Sequence, residues 1–192
     1  EIILVRNHEL STSSNASRVI GSSRTDVAIY DSGTTGVNYQ IGGNTNLVYR
    51  FGRWIASTSS IGGTAVNCAG GPTPWRSWLT CEETLLDLSK IGGKKHGYVF
   101  ETAADPERSI ARPIVGMGRM AHEAVAVDPR TGFVYETEDS RNLSAFYRYK
   151  PADRSRRVGA LERGGTLQSA RIKAIVKQAL PTTLAQANGA MG

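Results

Sequence analysis

The feature of the sequence that most constrains the fold is a series of short apolar, β-favouring runs separated by turn residues. Glycine pairs and Asp-Pro pairs stand between many of these runs, and glycine accounts for 21 of the 192 residues. No uninterrupted apolar run reaches the roughly 18 residues that a membrane-spanning helix needs. Regularly spaced short strands of this kind predict an all-β fold, either a propeller or a sandwich.

The clearest unit in this series is a hairpin within HEAVAVDPRTGFVYETED, residues 122–139. Residues 124–127 form one predicted strand, DPRTG forms the turn, and residues 133–137 form the returning strand. Pro129 presets the turn geometry, and Gly132 supplies the positive φ that closes the turn. Hairpins of this pattern that end in acidic residues are typical of propeller blades, so a β-propeller is favoured over a sandwich.

Two segments interrupt the β pattern and predict short helical insertions. Residues 85–91 predict one helix, and residues 166–184, rich in Ala, Lys, Gln and Leu, predict another. We therefore expect one partial propeller domain over residues 1–172 and a divergent or disordered tail over residues 173–192. The chain begins inside the apolar run EIILV, so a preceding segment is also expected.

The basic charge of the chain favours an anionic partner. The formal net charge is +6, which suits phosphate esters, nucleic acid or an acidic surface. The densest positive cluster comprises Arg148, Lys150, Arg154, Arg156 and Arg157. For this cluster, a solvated loop and a contact with an anion both stay open. No nucleic-acid-binding motif is present and the aromatic residues fit strand positions, so no nucleic-acid partner is expected.

Both cysteines of the chain fall in one segment, NCAGGPTPWRSWLTCEE at residues 67–83. Cys68 and Cys81 are compatible with a disulfide, with two buried thiols, or with a metal ligand beside carboxylates. No CxxC pair and no histidine at zinc-finger spacing is present, so a structural zinc site is not expected.

Acidic residues stand at the end of this segment and at the two ends of the hairpin: Glu82, Glu83, Glu123, Glu136, Glu138 and Asp139. A hairpin brings its ends together, so Glu123 and Glu138 are expected within a few ångströms of each other. A hard cation with oxygen ligands would relieve their repulsion. Strand alternation places Glu136 and Glu138 on one face and Asp139 on the other. The alternative is that these carboxylates are edge charges facing water.

Near the start of the chain, Arg6 and Asn7 stand beside His8 in VRNHE. The forked guanidinium of arginine binds oxyanions through two parallel hydrogen bonds. Arg6 and Asn7 are therefore candidate phosphate-binding residues.

Taken together, these motifs resemble those of the PhoX-type alkaline phosphatases. The resemblance runs through LVRNHE at 4–9, NCAGGPTPWRSWLTCEE at 67–83, HGYVFE at 96–101, HEAVAVDPRTGFVYETED at 122–139, SAFYRY at 144–149 and GGTLQ at 164–168. It implies a six-bladed β-propeller that hydrolyses phosphate monoesters, of which this chain holds an incomplete part, about two to three blades. It also implies export to the periplasm or the exterior, and the use of iron (Fe³⁺) and calcium (Ca²⁺).

The resemblance further implies which residues hold the metals, namely Cys68, Glu83, Glu123 and Glu138. Cys68 would be an iron ligand, which argues against a disulfide because an oxidised cysteine offers no thiolate. The family usually has a small residue at the position of Arg76, so a bulky cation is expected near the site. Two alternatives remain open at this stage, a calcium-dependent propeller hydrolase of the lactonase type and a non-catalytic propeller fragment.

Overall fold

The computed structural model describes residues 1–10, 27–32, 42–141 and 143–170. Its regular elements there are eleven β-strands and four short 3-10 turns, so the all-β prediction is confirmed. The strands are β1 (Ile2–His8), β2 (Ala28–Ile29), β3 (Gly42–Arg50), β4 (Arg53–Thr64), β5 (Asn67–Pro72), β6 (Ser77–Glu82), β7 (Val99–Ala103), β8 (His122–Val127), β9 (Val134–Glu138), β10 (Phe146–Pro151) and β11 (Gly165–Ser169). No helix among the described residues has the length and apolar character needed to span a membrane.

These strands form three sheets, none of which closes on itself. The first has the order β1-β3-β4-β2, with β2 parallel to β4 and the other pairs antiparallel. The second has the order β5-β6-β7, and the third is the antiparallel meander β11-β10-β9-β8. Antiparallel meanders of this kind are compatible with propeller blades, and the propeller itself stays a prediction.

The predicted hairpin at residues 122–139 is confirmed as β8 and β9. The Gly132 N–H donates to the Asp128 carbonyl at 2.8 Å, and Gly132 has a φ of 73°. The Asp128 carboxylate also accepts from the Arg130 N–H at 2.9 Å. The turn is therefore built by the local chemistry that the sequence indicates.

The second and third sheets share one hydrophobic core. Its fully or almost fully buried members are Leu79, Cys81, Val99, Ile114, Met117, Val125, Val134, Tyr149 and Leu161. Close approach of β5 to β8 depends on Gly71, where a Cβ would lie 2.1 Å from the Val125 carbonyl oxygen. Gly71, the last residue of NCAGG, thus allows two strands from different sheets to lie side by side.

Both predicted helices are wrong where the structure describes them. In residues 85–91 only Ser89–Ile91 is helical, as a single 3-10 turn, and the Leu88 N–H bonds to the Lys94 carbonyl across a tight reversal. Residues 166–169 lie in β11, which pairs with β10 along its length. Residues 171–184 and the predicted tail fall outside the described residues. Backbone pairing with a neighbouring strand overrides the weak helix propensity of these side chains.

Candidate metal centre

Five side chains converge into two overlapping groups of potential ligand atoms. The first group contains Glu9, Cys68 and Glu83, and the second contains Glu83, Glu123 and Asp139. Within each group the carboxylate oxygens or thiol sulfur all lie within 4.8 Å of one another. We call these five residues the acid–thiol cluster. It brings together three of the four predicted ligands and adds Glu9 and Asp139, which the sequence analysis did not select.

Each member of the acid–thiol cluster lies at or just beyond the end of a strand. Glu9 follows β1, Glu83 follows β6 and Asp139 follows β9, whereas Cys68 and Glu123 lie near the starts of β5 and β8. In an antiparallel arrangement, the start of one strand lies beside the end of the next. The cluster therefore lies where strand ends from the three sheets come together.

Backbone hydrogen bonds connect the chain segments that carry the cluster residues. The Glu83 N–H donates to the Val66 carbonyl at 2.9 Å, and the Asp139 N–H donates to the Ala121 carbonyl at 2.9 Å. Glu83 also forms an isolated antiparallel bridge with Ala121. Ala121, two residues before Glu123, thus connects the chain at Glu83 to the chain at Asp139.

Asn7 joins β1 to the strand that carries Cys68. Its Nδ2 donates to the carbonyls of Cys68 at 2.9 Å and Ala69 at 2.6 Å. Its Oδ1 accepts from Asn44 Nδ2 at 2.5 Å, Trp78 Nε1 at 3.1 Å and Thr80 Oγ1 at 3.1 Å. Because Glu9 lies two residues further along, it shares the face of Asn7 and reaches the cluster.

The predicted phosphate-binding pair is not brought together. Both N–H groups of the Asn7 amide are used by backbone carbonyls, which leaves no donor for an anion. Arg6 lies on the opposite face of β1, and its Nε donates to Thr45 Oγ1 at 3.2 Å. The phosphate-binding role of Arg6 and Asn7 stays a prediction that these contacts do not favour.

The electrostatics of the acid–thiol cluster reflect crowded negative charge. The Cys68 Sγ donates to Glu123 Oε1 at 3.5 Å. Burial, together with the neighbouring carboxylates of Glu83 and Glu123, raises the pKa of the Cys68 thiol to about 12. Burial and the charge of Glu123 also raise the pKa of Glu83, although its contact with Cys68 partly offsets them. Without a cation the thiol keeps its proton, whereas a bound cation favours the charged forms of all these groups.

Glu138 points away from the acid–thiol cluster. Its carboxylate accepts from the Tyr147 hydroxyl at 2.9 Å and from the Ala145 N–H at 3.3 Å. β8 has a register shift between His122 and Ala124, so His122 rather than Glu123 pairs with Glu138. Asp139, on the other face, takes part in the cluster instead. The alternation of side chains was the sequence signal that separated these two residues, and the role of Glu138 as a ligand stays a prediction.

The two cysteines are free thiols in different surroundings. Cys68 is half-buried in the acid–thiol cluster, and Cys81 is fully buried in the hydrophobic core. Burial raises the pKa of Cys81 well above its ordinary value. The disulfide considered from the sequence is therefore wrong, and Cys81 is the buried neighbour on the strand that leads to Glu83.

A buried carboxylate beside Glu83 organises the backbone around the cluster. Glu82 is fully buried and accepts hydrogen bonds from His96 Nδ1 at 2.7 Å and from the N–H groups of Ala65 at 2.9 Å, Gly97 at 2.8 Å and Tyr98 at 3.1 Å. His96 Nε2 in turn lies 3.4 Å from Asp31 Oδ2. Glu82 therefore connects two chain segments, at Ala65 and at residues 96–98, to the end of β6, directly before Glu83.

Arg76 lies far from the acid–thiol cluster, contrary to the expectation from the sequence. Asn67 pairs with Glu82 at one end of the β5–β6 hairpin, and Pro72 pairs with Trp78 at the other. Arg76 is in the turn beyond Pro72, and the four-residue step from Cys68 to Pro72 alone spans roughly 13 Å of strand. Arg76 is therefore not the bulky cation that was expected beside the predicted metal ligands.

Comparison with known proteins gives one match. The sequence model of the family "Alkaline phosphatase PhoX" matches residues 42–189, which is more than half of the chain. No curated protein and no solved structure gives a significant match. The matched range contains Cys68, Glu83, Glu123 and Asp139, with Glu9 lying before it. The chain belongs to the PhoX family of alkaline phosphatases.

Proposed function

We propose that this chain carries a metal centre of a phosphate monoester hydrolase and that the acid–thiol cluster is that centre. Membership of the PhoX family supports a phosphatase and a requirement for metal. The observation that carries the proposal is the convergence of four carboxylates and one thiol, from strand ends far apart in sequence, into two groups that share Glu83.

The two groups differ in the kind of cation that they suit. Glu83, Glu123 and Asp139 offer only carboxylate oxygens, which are the ligands that calcium prefers. Glu9, Cys68 and Glu83 add a thiolate, which suits a transition metal such as iron. We therefore propose that Ca²⁺ binds the first of these sets and Fe³⁺ the second. When bound, the cations would neutralise the charge of the phosphate oxygens and make the phosphorus atom easier to attack.

The residues of the chain itself determine whether this centre can form. Glu83 belongs to both groups, so it would contribute a ligand to each of the two cations. Asn7 fixes the backbone at Cys68, and Glu82 fixes the backbone before Glu83. Cys68 must release its proton to act as a ligand, so metal uptake releases that proton to solvent. The substrate of the proposal is a phosphate monoester, and the location that we propose, from the family resemblance, is outside the cytoplasm.

Elemental analysis of the purified protein for iron and calcium tests this proposal, with Cys68→Ser beside the wild type. We expect bound iron in the wild type and its loss in Cys68→Ser, with calcium retained. Cys81→Ala is the matched control, because it removes the other thiol from the core and should leave iron in place once folding is verified by circular dichroism. Hydrolysis of p-nitrophenyl phosphate should follow iron content across the three proteins.

Two results would overturn the proposal. Absence of both metals in a folded wild-type protein would mean that this chain does not assemble the centre. Calcium-dependent ester hydrolysis that is unchanged in Cys68→Ser would instead favour a lactonase-type hydrolase, which needs no thiolate.

A further inference from the structure

A pocket of about 320 Å³ at the other end of the β5–β6 hairpin is lined by arginines. Arg76 comes from the turn between β5 and β6, Arg108 from the turn after β7, and Arg156 and Arg157 from the loop after β10. Trp75 forms an apolar wall of the same pocket. We call this the arginine pocket. Its volume lies at the small end of the range for small-molecule sites.

The positive charge of the arginine pocket is largely uncompensated. Arg157 lies 3.9 Å from the Asp153 carboxylate, which also faces Arg163 at 3.5 Å. Among the residues that the structure describes, Arg76, Arg108 and Arg156 have no ion pair with a carboxylate. Asp105 also lines the pocket, where its carboxylate accepts the Glu107 N–H at 3.2 Å and offsets the charge of one of the four arginines.

One buried carboxylate joins the two walls of the arginine pocket. Glu101 is 4% exposed, and its Oε1 accepts from Trp75 Nε1 at 2.6 Å and from Ser77 Oγ at 2.5 Å. Its Oε2 accepts from the Gly159 N–H at 2.8 Å. Glu101 thus fastens the turn that carries Arg76 to the loop that carries Arg156 and Arg157. Since Glu101 uses its oxygens in these bonds, it organises the pocket without forming an ion pair with the arginines.

Two of the five non-glycine residues that have a positive φ in the described part of the chain line this pocket. Arg76 has a φ of 67° and Arg156 a φ of 52°, both in the left-handed region that non-glycine residues rarely occupy. The Arg76 turn is held by reciprocal bonds between Thr73 and Ser77, from the Thr73 N–H to the Ser77 carbonyl at 2.8 Å and from the Ser77 N–H to Thr73 Oγ1 at 3.0 Å. Arg156 donates through Nη2 to the Arg130 carbonyl. Strain maintained in this way is typical of binding sites.

We propose that the arginine pocket binds a small molecule through a diphosphate group. The lining holds four arginines and one carboxylate, Asp105, and its net positive charge exceeds the charge of one phosphate monoester, which carries at most about two negative charges. Guanidinium groups bind phosphate oxygens through paired hydrogen bonds, and Trp75 in the same lining offers apolar surface to an organic substituent. The site is distinct from the acid–thiol cluster and does not depend on the proposed function.

Calorimetric titration of the purified protein with inorganic pyrophosphate tests this site. Arg76→Gly combined with Arg108→Gln should weaken binding about tenfold or more, because each charge-assisted pair contributes substantially to affinity. Arg53→Gln with Arg148→Gln is the control for charge, since these exposed arginines lie away from the pocket and the double variant removes the same net charge. The control should bind pyrophosphate with nearly the wild-type affinity.

A second variant tests whether pyrophosphate binds at the arginine pocket or at the acid–thiol cluster. Glu83→Gln should leave pyrophosphate affinity unchanged. Unchanged affinity in the Arg76/Arg108 variant, an equal loss in the control, or loss in Glu83→Gln alone would each overturn the proposal. Titration with ADP then identifies the source of the diphosphate. Tighter binding than pyrophosphate indicates an organic diphosphate placed against Trp75, and equal binding indicates free diphosphate.

Discussion

The two ends of the β5–β6 hairpin carry opposite charges although the same two strands supply both. At one end, Cys68 and Glu83 belong to a cluster with three further carboxylates. At the other end, Arg76 belongs to a pocket with three further arginines. Each end has its own buried carboxylate, Glu82 near the first and Glu101 near the second. A buried glutamate can therefore support a negatively charged or a positively charged group of side chains. Which of the two it supports depends on the hydrogen-bond donors that surround it.

The largest expected effect comes from removing the buried carboxylate at the acidic end. Glu82→Ala leaves His96 and three backbone N–H groups without their acceptor in a dry environment. We expect a loss of about 3–5 kcal/mol in the free energy of unfolding, measured by urea denaturation. Glu107→Ala, at an exposed position, is the control and should change stability by less than about 0.5 kcal/mol. A loss below about 1 kcal/mol in Glu82→Ala would show that water replaces the carboxylate.

A smaller effect is expected where the two sheets approach each other. Gly71→Ala places a methyl group against the Val125 carbonyl, so β5 must move away from β8. We expect a destabilisation of about 1–3 kcal/mol and a lower metal content, because Cys68 and Glu123 separate. Gly52→Ala is the control without a steric contact, because its added methyl meets nothing within 4 Å. It carries the cost of a positive φ that Gly71 does not have, so a larger loss in Gly71→Ala is due to the contact with Val125. Wild-type metal content in Gly71→Ala would show that the cluster tolerates a wider separation.

The arginine end should respond to substitution with a gain in stability. Arg76→Gly relieves a φ of 67° and should raise the free energy of unfolding by about 0.5–1 kcal/mol while weakening binding of pyrophosphate. Urea denaturation of the single variant measures this gain. A higher free energy of unfolding together with weaker binding is expected where a strained backbone positions a binding residue. A less stable Arg76→Gly protein would mean that the arginine side chain packs favourably in the absence of ligand.

The smallest expected effect is a dependence of the free energy of unfolding on pH, which arises from His96 beside Glu82. Burial lowers the pKa of His96, but the carboxylates of Glu82 and Asp31 raise it more, so the pKa lies above 6.5. The contribution of His96 to stability is therefore fully present below about pH 6.5 and is lost as pH rises through the raised pKa. Denaturation midpoints measured from pH 6 upward should fall for the wild type and fall less for His96→Gln. Parallel curves for the two proteins would assign the pH dependence to other groups.

Local features of the sequence were predicted well, and features that depend on distant pairing were not. The β8–β9 hairpin followed from Pro129 and Gly132, whose turn chemistry acts over a few residues. Glu9 was missed because its place in the cluster depends on the alignment of β1 with β3, across more than thirty residues of sequence. Asp139 lies in the cluster and Glu138 does not, which accords with the register shift in β8, a feature without a clear signature in the sequence.

The other differences have the same origin. The helix predicted from residue 166 is wrong because β10 offers a partner strand there. Arg76 was expected near the site because the family usually has a small residue at its position, whereas the hairpin register places Arg76 and Cys68 at opposite ends. Proximity along the chain is a poor guide to proximity in space once a strand separates two residues.

The contact between Asn7 and Cys68 has a consequence for the order of folding. The two residues are 61 positions apart, so the chain must close a long loop before the Asn7 amide reaches the Cys68 carbonyl. Hairpins such as β8–β9 close short loops and form on the microsecond timescale, whereas contacts between distant segments form later. The acid–thiol cluster is therefore completed late, after the local hairpins exist. During refolding, metal uptake would then report the time at which β1 contacts β5, and not the time at which the hairpins form.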